Sequence, residues 1–132
     1  MFFGPNFVGP VFRNAGGRAT PDAIRSISIL RYLAGVETVA VVHHSDCGMT
    51  HLTDEGIAQE ALEKTPNAKD EIDKIHFGCF KEKEYEDILK ADVRTLMDQK
   101  ILSGMEILGF ALDTFTGEVE HIHVDRNTSS RL

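Results

Sequence analysis

Val39-Ala40-Val41-Val42-His43-His44-Ser45-Asp46-Cys47-Gly48 runs from an apolar stretch rich in valine straight into imidazole, carboxylate, thiol and glycine. A continuous β-branched run of this kind suits a strand buried on both faces, as in a parallel sheet. In open parallel sheets ligands gather just beyond the carboxyl ends of strands, so the polar half of the stretch is the first place to look for chemistry. His44 and Cys47 are separated by two residues and reach one metal from a single turn, and imidazole with thiolate suits zinc. A lone His-x-x-Cys also arises by chance, because metal ligands usually come as two such pairs.

Upstream, Thr20-Pro21-Asp22 opens a helix: Thr20 caps it, Pro21 suits the first helical position, and Asp22 favours the positive end of the dipole. Ala23, Ile24, Ile27, Leu30 and Ala34 form its apolar stripe, and Gly35 ends it. Val11 to Arg13 reads as a short strand before it, closed by the turn Asn14-Ala15-Gly16-Gly17. Strand, helix and strand in that order predict a right-handed parallel crossover. Downstream, Thr53 starts a second helix to Lys64, which Thr65-Pro66-Asn67 breaks. The longest helix is expected over Lys83 to Lys100, and Met105 to Leu112 reads as a second buried strand. Asp113-Thr114-Phe115-Thr116-Gly117 turns the chain, and Val119 to Val124 returns as an antiparallel edge strand. The expected fold is α/β: a mostly parallel β-sheet flanked by helices, with a C-terminal antiparallel hairpin strand.

The chain has 132 residues, which suits a single domain over 1–132 with an irregular start at 1–10 and a polar tail at 125–132. Hydrophobic residues make up 42% and charged residues 27%, an ordinary globular composition. A formal net charge of −7 disfavours nucleic acid and anionic membranes, which both want basic patches. No apolar run approaches the roughly 20 residues of a membrane span. Met1 to Phe12 lacks a basic leader and is interrupted by glycine and proline, so it makes a poor signal peptide. Two cysteines cannot build a disulfide framework, which points to a reduced, cytoplasmic location with thiols available for metal or chemistry.

Other chemistry-bearing residues compete with the first motif. His76-Phe77-Gly78-Cys79 is a second His-x-x-Cys, and the two pairs together would make a closed, structural zinc site. Phe77 and Phe80 flank Cys79, however, which equally suits a small buried hydrophobe. His121 and His123 alternate on the last strand and share a face, as a metal-gripping pair or as solvated side chains. No Walker lysine or Gly-x-Gly-x-x-Gly follows Gly16-Gly17, and there is no Gly-x-Ser-x-Gly elbow. The charges between Lys81 and Lys90 read as a solvated helix face.

Several stretches taken together carry a resemblance. Arg13-Asn14-Ala15-Gly16-Gly17, Ile24-Arg25-Ser26, Leu33-Ala34-Gly35-Val36 and Val41-Val42-His43-His44-Ser45-Asp46-Cys47-Gly48-Met49 are similar to the β-class carbonic anhydrases. Gly109-Phe110-Ala111-Leu112-Asp113 and Thr116-Gly117-Glu118-Val119 resemble that family's last hairpin, so the likeness runs in order from about residue 9 to 124. The resemblance implies a zinc enzyme that reversibly hydrates CO₂ to bicarbonate and a proton. In the family two cysteines and one histidine hold the metal, and water takes the fourth position. His44 and Cys47 are the matching ligands. Asp46, Gly48 and His51 are candidates for lining the pocket or relaying the proton, with His43 a further relay candidate.

The sequence departs from the family in one respect. Members carry a Cys-x-Asp-x-Arg segment on an earlier strand, which supplies a zinc ligand and an Asp–Arg dyad, and nothing before Arg13 contains Cys, Asp or Arg. No catalytic dyad is therefore assignable, and Cys79 or a partner chain is the candidate substitute ligand. Three readings follow: a shortened start to an ordinary enzyme, a short form whose zinc site another group completes, and a non-catalytic relative serving as a binding or dimerisation module. Hydrolysis of carbon disulfide is a sister activity in the family. The family also implies a homodimer or higher homo-oligomer.

Overall fold

Thr20 caps the first helix as its sequence requires. Its Oγ1 accepts from the Ala23 N–H at 3.2 Å, Pro21 occupies the first helical position, and Gly35 closes the helix in the left-handed region at φ +69°. This helix, α1, spans Pro21–Ala34. The computed structural model describes residues 5–6, 8–81 and 83–126, so the tail expected at 125–132 lies largely outside the described residues, as does part of the irregular start.

Strand β1 (Thr38–His44) follows α1, and β2 (Glu106–Leu112) and β3 (Val119–Ile122) complete a sheet of order β1-β2-β3. β1 pairs β2 in parallel, from Thr38 opposite Glu106 to His44 opposite Leu112. β2 pairs β3 antiparallel, from Gly109 opposite Ile122 to Leu112 opposite Val119. Between β1 and β2 lie α2 (Asp54–Lys64), the short α3 (Lys69–Ile72) and α4 (Tyr85–Met97). Thr53 caps α2, its Oγ1 accepting from the Gly56 N–H at 3.0 Å.

The α/β class holds, and individual elements differ from the sequence expectation. Val11 to Arg13 forms no strand but runs as exposed, irregular chain, because no neighbouring strand takes its hydrogen bonds and Pro10 has no N–H to give. The parallel crossover therefore runs from β1 through α2, α3 and α4 to β2, and α1 precedes it. The sheet itself has the expected parallel pairing and the C-terminal antiparallel hairpin strand. β1 is not buried on both faces: Val41 and His43 turn inward while Ala40 and His44 are exposed, since β1 is an edge strand among the described residues. The helix expected over Lys83 to Lys100 is trimmed to α4, and β3 stops two residues short of Val124.

The core lies between α4 and the inner face of β1 and β2. Leu89, Val93 and Leu96 of α4 pack on Val41, Ile107 and Ala111, with Leu102, Met105 and Ile122 closing the edges. Gly109 lets α4 approach closely, since a Cβ there would lie 3.1 Å from Val93 Cγ2. This packing fixes the carboxyl ends of β1 and β2, where the motif residues emerge. No helix among the described residues is long and apolar enough to cross a membrane.

Candidate metal centre

β1 ends at His44, and the chain then turns through Ser45 and Asp46 into Cys47 and a short 3-10 turn, Gly48–His51. Asp46 takes φ +51°, the left-handed conformation that Asp tolerates better than most side chains. The turn is tied to the β2–β3 hairpin: Ser45 N–H donates to Leu112 O at 2.9 Å, and Thr114 N–H donates to Ser45 Oγ at 2.9 Å. Thr50 closes it from the other side, its hydroxyl donating to Cys47 O at 2.6 Å.

His44 points outward. Its Nδ1 lies 2.8 Å from Ser45 O, and a carbonyl only accepts, so Nδ1 carries a proton and, in the neutral ring, Nε2 is the nitrogen left with a lone pair. That is the tautomer a histidine ligand needs, with one nitrogen held by a backbone carbonyl and the other free for a metal. Cys47 is a buried free thiol packed against Phe80 and Ile88. Imidazole and thiol on one turn fit zinc in donor chemistry, and they are two of the ligands such a site needs. Among the described residues no third His, Cys, Asp or Glu converges to make a three-ligand group.

Of the remaining candidates, Asp46 and His51 face each other across the turn, with His51 Nε2 3.4 Å from Asp46 Oδ1 and both side chains exposed. Gly48 starts the 3-10 turn and has open space where a Cβ would stand. His43, by contrast, turns inward and is 3% exposed, so it has no solvent path for relaying a proton.

Cys79 and His76 meet at Asp54, the first residue of α2. Asp54 accepts from Cys79 N–H at 2.8 Å and Gly78 N–H at 3.2 Å, and His76 Nδ1 lies 3.3 Å away. Burial acts to raise the Asp54 pKa, but these backbone donors outweigh it and hold the carboxyl below its ordinary value. Burial first, and the neighbouring carboxylate second, push the Cys79 thiol up, which favours its protonated form. His121 is exposed on β3, lying against Phe110, and His123 is exposed one residue past the strand's end.

Beneath the turn sits a buried ionic cluster. Arg18 Nε donates to Asp92 Oδ2 at 2.8 Å, and its Nη1 donates to Gly78 O at 2.6 Å. Ala19 N–H reaches Asp92 Oδ1 at 3.3 Å. His43 Nε2 lies 3.0 Å from Gly17 O and 3.3 Å from Asp92 Oδ2. Phe80 stacks parallel to the His43 ring at 6.3 Å between centroids, and the Arg18 guanidinium lies 5.8 Å from the Phe80 centroid. Burial raises the Asp92 pKa, but hydrogen bonds from His43 and Arg18 overcome it and keep the carboxyl below its usual range.

No family model matches the chain. Among curated proteins, the carbon disulfide hydrolase of Acidianus sp. (strain A1-3) is 44% identical over 54 residues, 41% of this chain and 26% of that protein. Beta-carbonic anhydrase 1 of Mycobacterium tuberculosis is 40% identical over 55 residues, 42% of this chain and 34% of that protein. Among solved structures, the carbonic anhydrase of Glaciozyma antarctica aligns at TM-score 0.78 and 29% identity over 85% of this chain and 66% of its own. The carbonic anhydrase of Streptococcus mutans aligns at 0.74 and 28% over 85% of this chain and 65% of its own. The chain is β-carbonic-anhydrase-like. It spans less than two thirds of those two structures, and about a quarter to a third of the two curated relatives.

Sequence reasoning singled out His44 and Cys47 of the β-carbonic-anhydrase-like motif but missed Arg18, Asp92 and the seat of Phe80. A signal for Asp92 was present. It stands four residues after Ile88 and four before Leu96, inside the apolar stripe of α4, where a lone carboxylate demands a buried cation.

Proposed function

We propose that His44 and Cys47 are protein ligands of a zinc ion and that the protein is a carbonic anhydrase, reversibly hydrating CO₂ to bicarbonate and a proton. The observation that carries this reading is the His44 tautomer: Nδ1–H held by Ser45 O, with Nε2 bare and facing out beside the Cys47 turn. When bound, zinc would lower the pKa of its water to about 7 and so supply hydroxide at neutral pH. The chain's own residues have separate tasks. Ser45 and Thr114 hold the turn to the hairpin, and the exposed Asp46–His51 pair offers a proton path to solvent. The third ligand comes from Cys79 or from a group outside the described residues.

A second reading is carbon disulfide hydrolysis, supported by the 44% identical stretch shared with the Acidianus protein that bears that name. Both readings place the protein in the cytoplasm, where free thiols persist. They also make it a homodimer or higher oligomer, for which the exposed Ile29, Tyr32 and Leu33 of α1 are apolar surface to cover.

The test is zinc per chain by elemental analysis, with sedimentation and both hydration assays run on the same sample. About one zinc per chain is expected, lost in Cys47→Ser and kept in Cys79→Ser, in a species larger than a monomer. Loss of zinc in Cys79→Ser would make Cys79 the completing ligand, and no zinc in the parent chain would overturn the metal reading. A monodisperse monomer would refute the oligomer, and turnover of carbon disulfide without CO₂ hydration would select the second activity.

A further inference from the structure

His43 has one anchor. Its Nε2 faces two groups that only accept, Gly17 O at 3.0 Å and the Asp92 carboxylate at 3.3 Å, so Nε2 carries the proton. Its Nδ1 is buried and has no partner. The ring's polar anchoring therefore rests on Nε2, and among the described residues Asp92 is the charged group that Nε2 meets. The adjacent histidines consequently hold opposite tautomers: His43 protonated on Nε2 and turned inward, His44 protonated on Nδ1 and turned outward.

The cluster also reaches the second donor. Phe80 lies over both the His43 ring and the Arg18 guanidinium, and packs against Cys47. Phe80 is itself fixed by its N–H donating to Met49 O at 3.0 Å, within the turn that follows Cys47. Contacts thus run from Asp92 to His43, whose backbone continues into His44, and from Asp92 through Arg18 and Phe80 to Cys47.

We propose that Asp92 is a positioning residue for the metal site: by tying the His43 ring, together with Gly17 O, and holding Arg18 beneath Phe80, it sets where His44 and Cys47 present their donor atoms. This rests on the zinc reading of those two residues. Asp92 touches no metal and no substrate. Its effect resembles that of groups hydrogen-bonded behind metal ligands, whose loss typically lowers metal affinity 10–100-fold.

The experiment measures zinc affinity by competition with a chromogenic chelator, and the tautomer of His43 by ¹⁵N NMR. Asp92→Asn keeps the side chain's size and removes its charge. It is expected to weaken zinc binding about tenfold or more and to shift the His43 Nε2 resonance, since Nε2–H then keeps Gly17 O but loses the carboxylate, while His44 stays protonated on Nδ1. His43→Gln, whose amide can donate from the place of Nε2, is expected to stay within about threefold of the parent, and His43→Leu to fall as Asp92→Asn does. A parent chain that binds no zinc refutes the reading beneath the proposal. A parent that binds zinc while Asp92→Asn binds it within about twofold refutes the positioning role alone. If Asp92→Asn does not fold, the two His43 variants decide the matter, and equal affinities in Leu and Gln overturn the proposal.

Discussion

Replacing Arg18 by methionine keeps most of the stem that crosses Phe80 and removes the guanidinium. Asp92, whose side chain is 4% exposed, then keeps its hydrogen bonds from Ala19 and His43 but loses its ion pair, and Gly78 O loses its donor. Removing one partner of a buried pair costs about 3–5 kcal/mol, because the other charge stays buried. The Arg18 side chain is 21% exposed, so water can follow it in, and the low end of that range, about 3 kcal/mol, applies. That is a large share of the roughly 5–15 kcal/mol that holds a domain together. In urea, with a slope of about 2 kcal/mol per molar, the midpoint should fall by about 1.5 M.

Acid should close the gap. In the parent, burial raises the Asp92 pKa but the donors win and depress it, so its stabilisation is complete above the ordinary carboxylate range and is lost as pH falls through the depressed value. In the variant burial faces weaker opposition, the pKa moves up, and Asp92 takes a proton at a pH where the parent has lost nothing. The difference in urea midpoint should therefore shrink between neutral pH and about pH 4. A double variant that also carries Asp92→Leu should recover much of the loss, since no charge is left buried. A deficit below about 1 kcal/mol, or one that is the same at pH 7 and about pH 4, would refute the account of a buried, mutually dependent pair.

Gly109→Ala places a methyl 3.1 Å from Val93 Cγ2, and the overpacking of about 1–3 kcal/mol should outweigh the few tenths to 1 kcal/mol gained by removing a strand glycine. Thermal unfolding should show a lower midpoint, and a raised one would mean that α4 has room to shift. Asp54→Asn removes the carboxylate that helps to hold the Cys79 thiol protonated, so alkylation of Cys79 by iodoacetamide near pH 8 should quicken. An unchanged rate would show burial alone to be the cause.

What could be read from the sequence was local. Thr20, Pro21 and Gly35 mark α1 because caps are settled within a few residues, and Thr53 marks α2 for the same reason. Val11 to Arg13 failed because a strand needs a neighbour, and neighbours are a property of the whole fold. Val39 to Val42 was read as doubly buried because valine suits a strand whether one face is covered or two; the place of β1 at the sheet edge decides it. His44 and Cys47 were legible as a donor pair from spacing. Arg18 and Asp92 were not, because they are 74 positions apart and charged residues in a helix are read first as solvent-facing.

The parallel pairing of β1 with β2 has a consequence for the order of events in folding. Each rung, from Thr38–Glu106 to His44–Leu112, joins parts of the chain separated by all of α2, α3 and α4, and β1 has no other strand partner among the described residues. Such distant pairings close late and slowly. During synthesis the stretch from His43 to Cys47 leaves the ribosome well before Glu106 exists to pair with Thr38. Until β2 arrives, the histidines and the thiol share a sequence but not yet a shape, and any metal that met them in that interval would find a loose chelate rather than a built site.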